Sequence, residues 1–148
     1  MFSTSPYLFN GYWKRPDETK EALVDGWLTV GDMARQDEDG YLYIVDRKKD
    51  MVISGGINIY PREIEDVLYN HPNIEDVAVI GVPDEKWGES LKAFIVTNNP
   101  DELQSEDVLS FCEQNISKIK TPKIIEFIDT IPRNANGKVL KTALKKDA

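Results

Sequence analysis

The sequence predicts a small α+β domain in which strands and helices are interleaved along the chain. Helical periodicity is clear where Ile64, Val67 and Leu68 recur at i, i+3 and i+4 and form one apolar face. Strand character is clear in residues 77–82 and 91–96, which are apolar and rich in β-branched side chains. Because neither type of segment is confined to one half of the sequence, an α+β fold is expected.

A β-hairpin is predicted before the first of these segments. Residues 27–30 and 33–35 have strand character, and Asp39-Gly40 supplies the left-handed backbone positions of a tight turn. Residues 41–45 then resume with aromatic and β-branched side chains.

A charged run, residues 46–50, follows the hairpin and interrupts the apolar pattern, so we place a domain boundary there. One part is expected to comprise residues 1–48 and the other residues 49–148. The first part also opens on aromatic side chains that show no clear period, namely Tyr7, Phe9, Tyr12 and Trp13. Aromatic residues at this density normally pack against other parts of a protein.

The second part is expected to alternate between strands and helices. The predicted elements are a strand at 51–53, a glycine turn at 54–56, a helix from Pro61 to His71-Pro72, strands at 77–82 and 91–96, a helix from 105 to about 117, a strand at 124–128 and a helix at 141–146. The strand 77–82 is apolar on both faces, so we expect it to be central. Ser105 is expected to cap its helix, with acidic residues in the first turn.

Composition limits the possible functions. The net charge is −8, from 26 acidic and 18 basic residues, which argues against nucleic acid as the main partner. No apolar run approaches the length that crosses a bilayer, and no signal peptide is visible. The single cysteine, Cys112, lies at helical spacing from Leu109 and Ile116, so a buried thiol is favoured over a reactive one. With one cysteine and one histidine no metal site is expected, and a cytoplasmic protein is predicted.

Two polar positions in the first part can be interpreted either as functional sites or as ordinary structural features. Asp32 follows Gly31 between strand segments, where a carboxylate can accept hydrogen bonds from both hydroxyls of a ribose. Spacing alone favours an ordinary turn aspartate. The run 46–50 is either a solvated linker or a hinge that absorbs backbone changes while two bodies reorient.

Two further positions lie in the second part. Gly55 and Gly56 either form a plain turn or let a ligand approach the backbone closely. Lys138 follows Gly137 on a polar loop, but the phosphate-loop motif fails because Pro132 and Val139 stand where that motif needs glycine and a hydroxyl residue. The lysine is therefore either a point charge brought to a phosphate or part of an exposed turn.

Taken together and in order, these positions resemble the C-terminal signature of the adenylate-forming enzymes, most closely their acyl-CoA synthetases. The resemblance covers nearly the whole chain. The matching segments are Gly26-Trp27 to Gly31-Asp32, residues 37–42, residues 46–56, residues 58–61 with 63–65, residues 81–84 with 87–89, and Gly137-Lys138.

The resemblance implies a two-step ligase and a particular fold. A carboxylic acid attacks the α-phosphate of ATP to give an acyl-adenylate, and coenzyme A then displaces AMP to give a thioester. Residues 1–48 would be the tail of a large N-terminal domain, including a β-hairpin. Residues 49–148 would be a mobile C-terminal domain with an antiparallel-rich sheet and about three helices. Mg²⁺ is expected through the large domain, which is also the implied partner.

Roles for individual residues also come from the resemblance. Asp32 would bind the ribose hydroxyls and Arg47 would assist at the nucleotide, while Lys49 would be the hinge between the two steps. Lys138 would reach the carboxylate and the α-phosphate during adenylation.

The coenzyme A site would be built from the other three positions. Gly55 and Gly56 would line the tunnel for the pantetheine arm, and Trp87 would lie near the coenzyme A nucleotide. The acid cannot be identified, although a fatty acid is the nearest match.

Two alternatives remain open at this point. The chain is expected to be a fragment that is inactive alone, and whether its native product is longer stays open. It could instead be a stand-alone interaction module or a truncated relic without catalysis. A ligase that loads a carrier-protein thiol is disfavoured, because Ser54-Gly55-Gly56 resembles the coenzyme A branch.

Overall fold

The computed structural model describes residues 1–99 and 102–146, which form two compact units. The first unit comprises Met1–Lys49 and the second begins at Asp50. Within the described ranges, the helices are all too short or too polar to span a bilayer. The two units are described separately below.

The first unit contains one short helix and two small antiparallel sheets. Its elements are α1 Pro16–Ala22, β1 Leu23–Val24, β2 Trp27–Leu28, β3 Asp32–Gln36 and β4 Leu42–Arg47. β1 pairs with β2, and β3 pairs with β4 through a bulge after Met33. α1 was not predicted, and the reason is its composition: Ala22 is its one buried residue, so it has no apolar stripe.

The two strand segments predicted before the Asp39-Gly40 turn, 27–30 and 33–35, belong to different sheets. Residues 27–28 pair with β1, and the strand opposite β4 begins only at Asp32. Gly31 separates the two segments with a φ of +78°, a left-handed conformation that interrupts an extended run.

Within residues 50–99 and 102–146, the second unit has one five-stranded sheet and three α-helices. Its elements are β5 Val52–Ser54, β6 Ile57–Ile59, α2 Pro61–Leu68, β7 Asp76–Asp84, β8 Gly88–Val96, α3 Ser105–Asn115, β9 Ile124–Phe127 and α4 Lys141–Leu144. The α+β class is therefore confirmed. β6 was not predicted, because three residues after a glycine pair carry too little pattern to mark a strand.

The sheet has β8 at its centre. The strand order is β6-β5-β8-β7, all neighbours being antiparallel, and β9 adds to β8 in parallel. The prediction that residues 77–82 form the central strand was wrong, since β8 is the only strand that β7 pairs with in the described ranges. β7 is apolar on both faces because other elements pack on each face, although the strand is not at the centre of the sheet.

Two separate cores explain why β7 is apolar on both faces. Val77 and Val79 point into a cluster with α2 and α3 that includes the fully buried Ile64 and Leu68. Ala78, Ile80 and Val82 alternate to the other face and pack with Ile131, Leu144 and Phe94. The chain that follows β9 therefore closes the second core.

The cap of α3 differs from the prediction. Ser105 is already the first helical residue, and the backbone N–H of Gln104 donates to Asp107 Oδ2 at 3.0 Å. The carboxylate in the first turn thus supports the helix start. α3 ends at Asn115 because Ile116 is extended, two residues before the predicted end.

Cys112 is buried within the first core, as predicted, and burial raises the pKa of its thiol from 9.0 to about 11. A thiol in an apolar environment favours the protonated form, which is the poor nucleophile. Cys112 is thus a packing residue.

Ile64→Ala should lower the free energy of unfolding of the second unit by about 2–5 kcal/mol, because it opens a cavity at a fully buried position. Ile124→Ala makes the same change at a position that is 44% exposed, and it should cost less than about 1 kcal/mol. Amide hydrogen exchange of β7 and β8 measures both. Equal costs would contradict the core described above.

The Cys112 thiol should resist a disulfide reagent at pH 8 and react rapidly only once the chain is unfolded in urea. The raised pKa keeps the folded thiol protonated below pH 9, so stability linked to it falls as pH rises from about 9 to about 11. With one cysteine in the chain, the absorbance of released thiolate reports this residue alone. Prompt stoichiometric labelling of the native protein would contradict its burial.

Candidate functional site

Lys138 lies on a tight loop whose ends form a bridge across residues 133–139. The Asn134 side-chain oxygen accepts hydrogen bonds from the backbone N–H groups of Asn136 at 3.0 Å and Lys138 at 2.9 Å. Gly137 adopts a φ of +79° and donates its N–H to the Asn134 carbonyl. The Lys138 side chain is exposed, and its ammonium has no hydrogen-bond or ion-pair partner among residues 1–99 and 102–146. The loop therefore presents, on an ordered backbone, an ammonium that has no partner in the described part of the chain.

Arg133 attaches this loop to the beginning of β7. One guanidinium nitrogen contacts both Asp76 carboxylate oxygens at 2.8 Å, and another donates to the Gly137 carbonyl at 2.9 Å. Partial burial alone would raise the pKa of the Asp76 carboxyl. Hydrogen bonds from Arg133 and Tyr69 outweigh that effect and hold the pKa below its usual value.

The two glycines form the turn between β5 and β6, with φ of +56° at Gly55 and +81° at Gly56. Gly55 donates its N–H to the Trp87 carbonyl at 2.9 Å. A Cβ at Gly55 would lie 2.7 Å from Trp87 Cε3, whereas a Cβ at Gly56 would meet no atom within 4 Å. The indole thus closes one side of the turn, and the other side is open to a ligand.

Asp84 positions Trp87. One of its carboxylate oxygens accepts the backbone N–H groups of Lys86 and Trp87, each at 3.0 Å, and the other contacts Lys123 Nζ at 2.6 Å. These hydrogen bonds lower the pKa of the Asp84 carboxyl, and the one from Lys123 has the largest effect. Lys86 and Lys123 also lie over the indole, 5.1 and 5.7 Å from its ring centre. The indole therefore has a fixed orientation and positive charge on its face.

A groove of about 780 Å³ lies beside Trp87. Its lining combines apolar side chains with two lysines, three hydroxyl residues and one carboxylate, Glu113. The lining includes Leu91, Leu109, Ile119, Pro122, Lys118 and Lys123. This combination suits an elongated ligand that carries both apolar and anionic parts.

The Lys138 loop and the glycine turn lie at opposite ends of the sheet. Arg133 holds the loop to Asp76, the first residue of β7, and Trp87 follows Asp84, the last residue of that strand. At about 3.3 Å per residue, these strand ends are roughly 26 Å apart. The structure therefore brings Gly55, Gly56 and Trp87 together but keeps Lys138 away from them.

The predicted residues of the first unit lie at the open end of the β3–β4 hairpin. Asp32 and Arg47 are directly opposite in register, with Arg47 Nε 3.6 Å from Asp32 Oδ1. The backbone N–H of Lys48 donates to the Gly31 carbonyl at 2.7 Å. Lys49 follows in a single 3₁₀ turn and is exposed at the end of the unit.

A second cavity, of about 530 Å³, lies here and is lined by Arg47, Lys48 and Lys49 together with Val30 and Gly31. Three cations beside one partly buried carboxylate could hold an anionic ligand that also carries hydroxyl groups.

Asp84, Lys123, Asp76 and the anchoring role of Arg133 were not assigned from the sequence. The Asp84 turn had a local signal, because an aspartate commonly accepts the backbone N–H groups of the residues two and three positions after it, here Lys86 and Trp87. The Asp76–Arg133 pair spans 57 residues and left no such signal.

Comparison with known families identifies the family of the chain. A family model for the AMP-binding enzyme C-terminal domain matches residues 63–138. The chain belongs to this family. The matched stretch begins within α2 and ends on Lys138, so it includes most of the Lys138 loop.

Relatives of the AMP-binding C-terminal domain include ligases for different acids. The chain is 46% identical over 143 residues to a long-chain-fatty-acid–CoA ligase of Escherichia coli O6:H1, covering 97% of this chain and 25% of the relative. It is 45% identical to a feruloyl-CoA synthase of an Amycolatopsis species, and the match covers 97% of this chain and 29% of the relative. The chain thus spans about a quarter of the length of the curated relatives it matches.

A solved structure of the same family has a very similar fold. It is the o-succinylbenzoate CoA synthetase MenE of Bacillus subtilis in complex with the acyl-adenylate intermediate OSB-AMP. The identity is 35%, the TM-score is 0.90, and the match covers 97% of this chain and 29% of that chain.

Gly55→Ala should displace Trp87, because the new methyl group meets the indole at 2.7 Å. Gly56→Ala is the matched control, since it has a similar left-handed φ but open space around it. With Trp13 and Trp27 replaced by phenylalanine, the fluorescence of Trp87 should shift in the Gly55 variant and stay nearly unchanged in the Gly56 variant. Identical spectra for both variants would contradict the contact.

Proposed function

We propose that this chain is the C-terminal part of an ATP-dependent acyl-CoA ligase that forms an acyl-adenylate and then an acyl-CoA thioester. The observation that carries the proposal is the separation of an unpaired lysine and a glycine–tryptophan turn at opposite ends of one sheet. That arrangement suits two chemistries that need different surroundings. The similarity to CoA ligases over nearly the whole chain supports it.

In the first step, a carboxylate oxygen of the acid attacks the α-phosphorus of ATP, and pyrophosphate leaves. Negative charge develops on the phosphoryl oxygens during the attack. A preorganised cation aimed at that charge lowers the barrier. We assign this role to Lys138, whose ammonium is unpaired and whose backbone is fixed by Asn134.

In the second step, the thiol of coenzyme A attacks the acyl carbonyl, and AMP leaves. The thiol must reach the adenylate through a narrow passage. We assign the wall of that passage to Gly55, Gly56 and Trp87, because the open side of Gly56 admits a thin ligand chain and the indole closes the other side. The adjacent groove, with Lys118 in its lining, suits the anionic nucleotide end of coenzyme A.

The two assigned sites cannot serve one reacting centre in a single arrangement, since about 26 Å separates the strand ends that carry them. A rotation of the domain between the two steps would move one site away from the reacting centre and bring the other site to it. Lys49, at the junction of the two compact units, is our candidate for the hinge. Hinges are commonly a few positions that absorb large backbone changes.

The first unit is assigned to the tail of a large N-terminal domain that binds ATP or AMP. Asp32 would accept hydrogen bonds from the ribose hydroxyls, and Arg47 opposite it would contact the nucleotide. Mg²⁺ would be held by that large domain, and its site is not part of our assignment. A fatty acid is our preferred substrate, although relatives of nearly equal identity are named for long-chain fatty acids and for ferulate. The cytoplasmic location stays a prediction.

The alternative of a stand-alone interaction module draws on the exposed apolar side chains of the first unit. Tyr7 is 93% exposed, Trp13 is 85% exposed, and four consecutive residues of the β4 region, 41–44, are also exposed. We favour cover of this surface by the rest of the large domain, since an apolar surface of this kind is rarely left in contact with water.

Lys138→Ala, in the full-length enzyme that carries this chain, should lower adenylation by roughly 10²- to 10³-fold. Thioester formation from supplied acyl-adenylate should be retained, because Lys138 lies far from the glycine turn. Pyrophosphate exchange measures the first half-reaction, and acyl-CoA release measures the second. Lys145→Ala, which removes another exposed lysine of the same region, should leave both unchanged.

An equal loss in both half-reactions would remove Lys138 from the assigned role. A full-length protein that neither adenylates an acid nor forms a thioester would favour the interaction module instead.

A further inference from the structure

Two ion pairs fasten the chain on either side of Lys138 to the same part of the second unit. Arg133, five residues before it, contacts Asp76 at the beginning of β7. Lys141, three residues after it, contacts Glu65 in α2. The loop is thus held at both ends by side chains that are distant in sequence, over 57 and 76 residues.

The first pair is part of a small network around Asp76. Its carboxylate receives the Arg133 guanidinium, the Tyr69 hydroxyl at 2.5 Å and the Val77 backbone N–H at 2.9 Å. Arg133 also donates to the carbonyl of Gly137, the residue just before Lys138. A single guanidinium therefore links the carboxylate of β7 to the peptide bond between Gly137 and Lys138.

The second pair is largely shielded from water. Lys141 Nζ lies 2.7 Å from Glu65 Oε1, and the two side chains are only 16% and 15% exposed. The same oxygen accepts the Val79 backbone N–H at 2.8 Å. Because both charges are mostly desolvated and hydrogen-bonded, removal of one partner leaves the other uncompensated, which is costly. Glu65 thus fixes the start of α4 against α2 and β7.

The two pairs also occupy the carboxylates nearest in the network to the Lys138 loop. Both carboxylates that anchor this loop are already bonded to a cation, Arg133 or Lys141. If Arg133 were absent, the Asp76 carboxylate would be left without its guanidinium and could attract another cation of the loop. An ammonium captured by a carboxylate is less available to a phosphate.

We propose that Arg133 and Asp76, with Lys141 and Glu65 as a second brace, are positioning residues that aim Lys138 at the reacting phosphate and keep its ammonium unpaired. This inference rests on the proposed adenylation role of Lys138. It assigns the four residues to the first half-reaction and gives them no part in the second.

The test uses the isosteric change Asp76→Asn in the full-length enzyme, which removes the charge and keeps the shape. The rate of adenylation at saturating substrate should fall roughly 10- to 100-fold, since misplacement of a catalytic group by about 1 Å costs that much. Thioester formation from supplied acyl-adenylate should stay within about twofold of the parent rate, which also reports that the domain is folded.

A second comparison asks whether the effect passes through Lys138. Asp76→Asn combined with Lys138→Ala should be no slower in adenylation than Lys138→Ala alone, because there is no ammonium left to position. Arg133→Lys should fall between the parent and Arg133→Ala, since a lysine can pair with Asp76 but lacks the fork that also reaches Gly137.

Glu126→Gln is the matched control. It makes the same carboxylate-to-amide change in the Lys92–Glu126 pair, whose atoms are 2.7 Å apart on the same sheet. Adenylation by this variant should equal that of the parent.

Three results would overturn the inference: additive losses from Asp76→Asn and Lys138→Ala, equal losses in both half-reactions, or an equal loss from Glu126→Gln. The failure of the proposed function looks different. In that case Lys138→Ala itself would leave adenylation unchanged, whereas a large loss from Lys138→Ala with a normal rate for Asp76→Asn would refute the positioning role alone.

Discussion

The β7–β8 ladder is the feature on which the rest of the second unit depends. Nine consecutive residues of β7 pair with β8, from Asp76 opposite Val96 to Asp84 opposite Gly88. Both faces of β7 are buried, one in each core, so a slip by one residue would move each set of side chains into the other core and disrupt the packing of both. The ladder is therefore a rigid element of fixed length. Asp76 at one end anchors Lys138, and Asp84 at the other end anchors Trp87.

The secondary structure of the second unit could be predicted well, because its signals are local. Pro61 opens α2, the apolar spacing of Ile64 and Leu68 marks its buried face, and the long apolar runs mark β7 and β8. The arrangement of these strands could not be predicted. A strand that is apolar on both faces is usually central, but β7 is an edge strand covered by α2 on one side and by the segment around Ile131 on the other.

The candidate site also has a part that could be predicted from the sequence and a part that could not. The glycine turn and the Lys138 loop were recognisable because Gly55, Gly56 and Gly137 are needed for left-handed backbone in short segments. What holds these segments in place was not recognisable. Asp76 and Glu65 pair with Arg133 and Lys141 over more than fifty residues, and ion pairs at that separation depend on the folded geometry. In the sequence, these carboxylates look like ordinary surface charges.

The two ends of the ladder also use charge in opposite ways, and this difference follows from the two proposed reactions. At the Asp84 end, Lys123 is paired with a carboxylate and lies over the Trp87 indole, so its charge is partly neutralised and its position fixed. At the Asp76 end, Arg133 and Lys141 pair with the carboxylates, and no other described residue pairs with Lys138. A paired lysine stabilises the shape of a passage, whereas an unpaired lysine can stabilise a transient negative charge. A sheet that separates these two lysines by the length of one strand would let a single small domain contribute to both proposed steps.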